Sequence, residues 1–177
     1  KMYFRQFPVL RGKFDGTYKA VTDIFLRVAP QNPIKKIEFL ETTYVQDGET
    51  PELLAFKMYE REDYHWILLL VNNIVDVREE WPRKDSDLYS YCIEKYGENN
   101  IYQAVHHYRT TDKLASQGVP KGIIVDYNPG KISSGEHEPV SNWDYEVELN
   151  EQKRQIKYIP KELIGKFVSE FQRLIRV

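Results

Sequence analysis

Residues 44–76, YVQDGETPELLAFKMYEREDYHWILLLVNNIVD, combine a strand-like entry, a Gly-containing turn and two helix patterns. Thr50 is a candidate cap for the first helix, and Pro51 fits the first turn, where a missing N–H costs nothing. The apolar face predicted for this helix comprises Leu54, Ala55, Met58 and Tyr59. These signals predict a helix that packs one face on a core.

The second helix of this stretch is more apolar than the first. Asp63 is its candidate cap, and residues 66–71 (WILLLV) are apolar on most sides, so we expect the helix to be buried nearly all round. Asn72 and Asn73 are expected to end it. The two helices and their strand therefore predict a small βααβ unit.

The segments before this unit carry a different pattern. Residues 1–20 mix aromatic and polar residues with Pro8, Gly12 and Gly16, which is too punctuated for a helix and predicts an extended arm. Residues 21–29 have helical apolar spacing, and residues 34–45 are rich in β-branched and aromatic residues, which favours a strand.

The segments after the unit predict further helices and short strands. Asp85 or Ser86 can cap a third helix that ends at Gly97. Residues 102–108, 123–127 and 155–159 are strand candidates, the first two forming a small hairpin. Residues 128–142 consist mostly of turn formers and are interpreted as a surface loop, mobile unless a partner orders it. Residues 143–149 fit a strand or a helix equally well. Pro160 opens a final amphipathic helix with Leu163, Phe167, Phe171 and Leu174 on its main stripe.

Composition excludes several classes of partner. The net charge is −2, with 25 basic and 27 acidic residues mixed along the 177-residue chain, so no basic stripe indicates nucleic acid. The longest apolar run is far shorter than the roughly 20 residues that span a bilayer, so no membrane contact is expected. The N-terminal residues lack the apolar stretch of a signal peptide, and one Cys suits a reducing compartment. We expect synthesis in a cytoplasm without export.

No catalytic or metal-binding pattern stands out. His106 and His107 are adjacent, so strand alternation should direct them to opposite faces, and no HxxxH or CxxC spacing exists. Cys92 falls on an apolar helical stripe, where a buried thiol is the ordinary interpretation. The Ser133-Ser134-Gly135 segment lacks the context of a nucleophile elbow. The sequence thus predicts no metal, no cofactor and no enzymatic activity.

The Tyr44-Val45 entry, the Asp47-Gly48-Glu49-Thr50 turn and the Asn72-Asn73 exit resemble the lysin motif (LysM) family. That resemblance implies a second strand directly after the asparagines and a role in binding cell-wall glycan. Glu49 and Trp66 depart from the family pattern, so its sugar-binding residues are not carried over.

A second resemblance covers far more of the chain. It rests on the aromatic arm ending in Phe-Asp-Gly, VTDIFLRV, PELLA, YHWILL, Asn-Asn-Ile, NEQKRQIK and the amphipathic tail, in that order. Together these resemble the baseplate wedge proteins (fifty-three type) of T-even-like contractile-tailed bacteriophages. The resemblance implies a virion protein assembled in the host cytoplasm. Its implied partners are the wedge core bundle proteins and the lysozyme-like sheath-initiator subunit, in a six-fold assembly.

The expected fold class is α+β, with a LysM-like βααβ core, an N-terminal arm, extra helices, a small β hairpin and a C-terminal amphipathic helix. The expected segments are residues 1–33, 34–110 and 111–177, which together form a single compact unit with extensions.

The expected function is a structural adaptor that joins wedge subunits and neighbouring wedges around the tail tube, and the alternative is a glycan-binding LysM module. The chain has 24 Tyr, Phe and Trp residues, a high content that fits wet protein interfaces and fits an aromatic-rich core equally well. The residues predicted to contact partners are Tyr3, Phe4, Phe7, Trp81, Asn128 and Trp143.

Overall fold

The computed structural model of the chain describes residues 9–14, 17–22 and 40–175. Contacts divide the chain into two compact units. The first unit takes the described residues up to Val45, Glu49–Glu80 and those from Gln155 onward. The second takes Gln46–Gly48 and Trp81–Arg154. The second unit is therefore inserted into the first along the sequence, and neither unit is one continuous segment of the chain.

The described residues form an α+β fold with small antiparallel sheets. The strands are β1 (Val9–Phe14), β2 (Thr17–Thr22), β3 (Glu41–Tyr44), β4 (Val105–Thr110), β5 (Ile124–Val125), β6 (His137–Ser141) and β7 (Gln155–Tyr158). The α-helices are α1 (Pro51–Tyr59), α2 (His65–Val71), α3 (Val77–Glu80), α4 (Asp85–Tyr96), α5 (Asn100–Gln103), α6 (Pro129–Ser133), α7 (Asn142–Arg154) and α8 (Lys161–Ile175). Short 3₁₀ helices lie at Glu62–Tyr64 and Asp112–Gln117.

Helix α1 begins as the sequence predicts. The Thr50 hydroxyl accepts a hydrogen bond from the Leu53 N–H at 3.3 Å, and Pro51 occupies the first turn. Leu54 and Ala55 are fully buried, as expected for the inner face. The helix ends at Glu60, whose left-handed backbone (φ 58°) reverses the chain.

Helix α2 is preceded by the 3₁₀ turn, and the predicted Asp63 cap does not form. The Asp63 carboxylate binds the Arg61 guanidinium at 2.7 Å instead. His65 donates from Nδ1 to the Glu62 carbonyl oxygen at 2.9 Å. Along α2, Trp66, Ile67 and Leu68 are buried and the last three residues are half-buried, so the expectation of a deeply buried helix is confirmed for its first turn.

The strand that pairs with β3 is β7 and not one that directly follows α2. The two strands are antiparallel, with Glu41 opposite Tyr158 and Tyr44 opposite Gln155. The Asn72 side-chain amide fastens β7 to the end of α2: it donates to the Lys157 carbonyl at 2.7 Å and accepts from the Lys157 N–H at 2.9 Å. Asn72 therefore ends α2, as predicted, and also connects α2 to the returning strand.

Helix α8 completes the first unit. Phe171 is 1% exposed, and its ring centroid lies 4.6 Å from that of Trp66. Ile164 and Phe167 are also buried, which confirms the predicted amphipathic helix. The aromatic contact between α2 and α8 forms the centre of this core.

The second unit contains the three-stranded sheet β5-β4-β6 and the helices α4 to α7. Leu88, Cys92 and Ile101 form a buried cluster, so Cys92 is the buried thiol that the sequence predicts. Helix α4 ends at Gly97, as predicted, with a positive φ of 80° that favours glycine.

Several sequence predictions need correction. Residues 128–142 are not a plain surface loop, because they form α6 and β6. Pro139 is tolerated in β6 because β6 is an edge strand. Tyr102 belongs to α5, so the strand predicted over residues 102–108 begins later, at Val105. Residues 143–149 are helical.

The N-terminal predictions lie partly outside the described residues. Strands β1 and β2 pair in antiparallel register, Val9 opposite Thr22, so this part of the arm is a strand pair. The helix predicted over residues 21–29 is wrong at Val21 and Thr22, which lie in β2. Its remaining residues, and residues 34–39 of the predicted strand, lie outside the described ranges.

Helix α7 buries polar side chains at every fourth residue. Asn142, Glu146, Asn150 and Arg154 are between 3% and 7% exposed. A spacing of four residues places side chains on one helical face. The inner face of α7 is thus a polar ridge, and it bonds to Asn100, Tyr96, Arg83 and Asp85 of the second unit.

Candidate partner interface

An aromatic cluster lies at the surface of the second unit, made of Tyr89 on α4, Tyr102 on α5 and Trp143 on α7. The Trp143 ring centroid lies 5.9 Å from that of Tyr89, at an interplanar angle of 71°, and 5.7 Å from that of Tyr102, at 52°. Tyr89 is 37% exposed and Tyr102 is 58% exposed. The cluster therefore presents fixed aromatic rings to solvent.

The start of α7 determines where Trp143 lies. Ser141 and Asp144 cap the helix reciprocally: the Ser141 hydroxyl donates to the Asp144 carboxylate at 2.7 Å and accepts from the Asp144 N–H at 3.1 Å. The Asn142 amide donates to the Asn100 carbonyl at 2.9 Å. These bonds hold Trp143 beside α5 and its Tyr102 ring.

The core beneath the cluster supports it from inside. Half-buried Trp143 packs against the Leu88, Cys92 and Ile101 cluster. The floor of the aromatic cluster is therefore a packed core, which limits the conformational entropy its rings lose when a partner covers them.

A partly buried ion pair stabilises the same helix one turn further on. Glu146 accepts hydrogen bonds from Lys95 Nζ and from the Tyr96 hydroxyl, both at 2.7 Å. Burial opposes ionisation of Glu146, but the bonds from Lys95 and Tyr96 outweigh it and hold its pKa below the usual value. The bond to Glu146 likewise raises the pKa of Lys95.

A second apolar surface lies along the edge strand β5. Ile124 is 70% exposed, Tyr127 is 64% exposed and Ile123 is 45% exposed. The Tyr127 ring contacts that of Tyr108 at a centroid distance of 5.2 Å. An exposed apolar edge strand is a site where another chain can add a strand.

The residues predicted to contact partners fall in different places. Tyr3, Phe4 and Phe7 lie outside the described residues. Trp81 is only 6% exposed, which fits packing on its own core, and the Asn128 side chain caps α6 by accepting from the Lys131 N–H. Trp143 lies in the aromatic cluster. Sequence reasoning missed Tyr89 and Tyr102. The Ser141-x-x-Asp144 capping signal could have shown that α7 starts beside Trp143, but it carries no information on the other two rings.

The histidines require a correction. The prediction that His106 and His107 face opposite sides is wrong, since their Nδ1 atoms are 2.9 Å apart. Burial lowers the pKa of His107, with smaller contributions from His106 and Arg109, which Glu148 partly offsets. Across residues 9–14, 17–22 and 40–175, no group of three or more His, Cys, Asp or Glu side chains is arranged to hold a metal ion.

The turn between β3 and α1, where a glycan groove would be sought, already has partners. The Asp47 carboxylate accepts from the Asp85 N–H at 3.0 Å and pairs with Arg154 at 3.3 Å. These contacts hold the pKa of Asp47 below its usual value, the bond from the Asp85 backbone contributing most. A Cβ atom added at Gly48 would lie 3.7 Å from the Lys84 side chain, in ordinary van der Waals contact. Groups of the second unit, to which residues 46–48 belong, therefore already bind the Asp47 carboxylate, while Asp47 and Gly48 themselves stay exposed.

An α+β scaffold that holds aromatic rings rigidly at its surface is typical of a protein that binds other proteins. In the described ranges, no helix has the length and hydropathy needed to cross a bilayer.

Comparison with known proteins gives the family. A family model described as base plate wedge protein 53 matches residues 18–115, more than half of the chain. Over 144 residues the chain is 26% identical to the baseplate wedge protein gp53 of Enterobacteria phage T4. The match covers 77% of this chain and 74% of that protein. The chain belongs to the base plate wedge protein 53 family. It is a structural component of the phage baseplate in the virion, and not an enzyme.

Proposed function

We propose that this chain is an adaptor that joins wedge subunits and neighbouring wedges around the tail tube. The observation that carries the proposal is the aromatic cluster of Tyr89, Tyr102 and Trp143, because its rings are exposed and yet fixed. Tyr and Trp are the residues most enriched at the energetic centres of protein interfaces. Membership of the baseplate family supplies the setting in which such a surface is covered.

The two-unit architecture supports the same role. The aromatic cluster lies in the second unit, while Leu53 and Phe56 on α1 of the first unit are each more than half exposed. Assembly interfaces of permanent complexes commonly bury about 2,000 Å² or more. A chain with apolar contact surface on each of two units can reach that area with different neighbours.

The proposed partners are the wedge core bundle proteins and the lysozyme-like sheath-initiator subunit, in a six-fold assembly. The first test mixes the purified chain with these wedge proteins and weighs the complexes by native mass spectrometry. We expect stoichiometric complexes that contain this chain. If it stays monomeric beside wedges that assemble without it, the adaptor proposal is wrong.

The predicted arm gives a second test. We expect deletion of residues 1–10, which also removes Val9 and Leu10 from β1, to leave the helical core folded by circular dichroism while abolishing wedge assembly. Entry of the truncated chain into complete baseplates would show that Tyr3, Phe4 and Phe7 are not partner contacts.

The alternative function, glycan binding by a LysM-like unit, has a specific observation against it. We propose that β3, α1, α2 and β7 are a LysM-like βααβ unit whose last strand is supplied after the inserted second unit. The Asp47 carboxylate of its turn is already bound by the Asp85 N–H and by Arg154. Titration with chitooligosaccharides or peptidoglycan fragments should therefore give no saturable heat, and saturable binding would revive the alternative.

A further inference from the structure

The irregularity that brings His106 and His107 together is a β-bulge. Between β4 and β6, Val105 lies opposite Ser141 and His107 lies opposite Val140. Two residue steps on β4 thus match one step on β6, so His106 is the extra residue of the bulge. The bulge breaks strict alternation, and the two imidazole rings end on one side of the strand.

The two rings are held in place by Tyr145 of α7. The Tyr145 ring stacks on His106 at a centroid distance of 3.8 Å and an interplanar angle of 12°. It meets His107 edge-on at 5.7 Å and 83°. The two Nδ1 atoms, 2.9 Å apart, face one gap, where one nitrogen carries a proton and the other accepts it.

We propose that His106 and His107 form a two-nitrogen chelating site for a divalent first-row transition-metal ion of the zinc or copper class. Zinc–nitrogen bonds are about 2.0–2.1 Å long, so two ligands on a tetrahedral ion lie about 3.3 Å apart. The two nitrogens need to separate by a few tenths of an ångström, and each ring needs to turn by about 35° so that both lone pairs meet at the ion. The proton in the gap moves to Nε2 of the same ring, and both histidines bind as neutral imidazoles.

The charges near the gap do not repel a cation, although the sequence places Arg109 close to the two histidines. Arg109, two residues beyond His107, pairs with Glu138 at 2.6 Å and with Glu148 at 2.5 Å. These two carboxylates offset the guanidinium charge that would otherwise repel a cation. With two protein ligands the remaining coordination positions belong to water, so the site should bind more weakly than a closed four-ligand site.

The chain itself provides the control for a binding experiment. Its four histidines are His65, His106, His107 and His137, and all lie in the described residues. Zinc chloride is titrated by calorimetry into the full chain and into the variants His106→Asn, His107→Asn and His65→Asn. We expect saturable one-to-one binding in the wild type and in His65→Asn, and affinity lower by about tenfold or more in each of the other two.

Copper provides a readout that is specific to the ligands. The electron paramagnetic resonance spectrum of the Cu²⁺-loaded chain should show coupling to two imidazole nitrogens, reduced to one in His106→Asn and in His107→Asn. Circular dichroism checks that both variants are folded. Absence of saturable binding in the wild type overturns the proposal, as does equal affinity in all four proteins. Wedge assembly is not part of this test, so its outcome is independent of the adaptor function.

Discussion

Helices α7 and α8 are similar in length, with 13 and 15 residues, but they are buried by opposite means. Helix α8 buries Ile164, Phe167 and Phe171. Helix α7 buries Asn142, Glu146, Asn150 and Arg154, each with hydrogen-bonded or ionic partners. Apolar spacing in the sequence identifies a helix such as α8. It misses a helix such as α7, because polar residues at every fourth position are interpreted as a solvated face.

The difference also concerns specificity. An apolar stripe tolerates small shifts, whereas each polar residue of α7 needs its own partner. Asn150 shows this best, since its amide accepts from the Arg83 N–H at 2.7 Å and donates to the Arg83 carbonyl at 2.9 Å. The polar ridge therefore fixes the position of α7, and with it the position of Trp143.

The largest effect is expected from α8. Phe171→Ala removes a ring that is 1% exposed and packs on Trp66, and we expect it to lower the free energy of unfolding by about 3–5 kcal/mol. Urea titration followed by tryptophan fluorescence measures the change. The exposed Lys166→Ala on the same helix is the control, and equal effects of the two variants would contradict the described core.

A smaller but still large effect is expected from the polar ridge. Asn150→Leu keeps the volume of the side chain but removes its two hydrogen bonds with the Arg83 N–H and carbonyl, so we expect a loss of about 2–3 kcal/mol. The neighbouring exposed Gln152→Leu should change the free energy of unfolding little. A neutral or stabilising Asn150→Leu would mean that the ridge is not a specific contact.

The third expected effect depends on pH. The folded-state pKa of Glu146 is lowered, because the bonds from Lys95 and Tyr96 outweigh burial, so its contribution to stability is complete above its ordinary value and is lost as the pH falls through the folded value. Glu146→Gln should therefore unfold at a lower temperature than wild type at pH 7. The difference should shrink between about pH 5 and pH 3. Gln152→Ala serves as the control, and a difference that is constant with pH would contradict the ion pair.

The aromatic cluster gives the smallest expected effect on stability. Each ring makes one aromatic contact with Trp143, so the double variant Tyr89→Ser/Tyr102→Ser should lower the free energy of unfolding by about 1 kcal/mol for each substitution. Thermal unfolding checks this. A large destabilisation would show that the rings belong to the core and not to a contact surface.

Local signals in the sequence predicted much of the fold correctly. Thr50 and Pro51 start α1, Asn72 ends α2, Gly97 ends α4 and the stripe of α8 is buried, because capping and apolar spacing act within a few residues. The pairing of β3 with β7 was not predictable, since the insertion separates the two strands and leaves no local trace. The bulge at His106 and the polar ridge of α7 depend on tertiary partners, and the same is true of the aromatic cluster, which three separate helices assemble.

The most direct test of the adaptor role is baseplate assembly with the Tyr89→Ser/Tyr102→Ser double variant. Wedge proteins are combined with wild type, with the double variant or with Tyr44→Ser, which alters an exposed tyrosine of the first unit, and six-fold baseplates are counted by electron microscopy. The account predicts normal baseplates with wild type and Tyr44→Ser, and few or none with the folded double variant. Baseplates assembled by the double variant at the wild-type yield would contradict it.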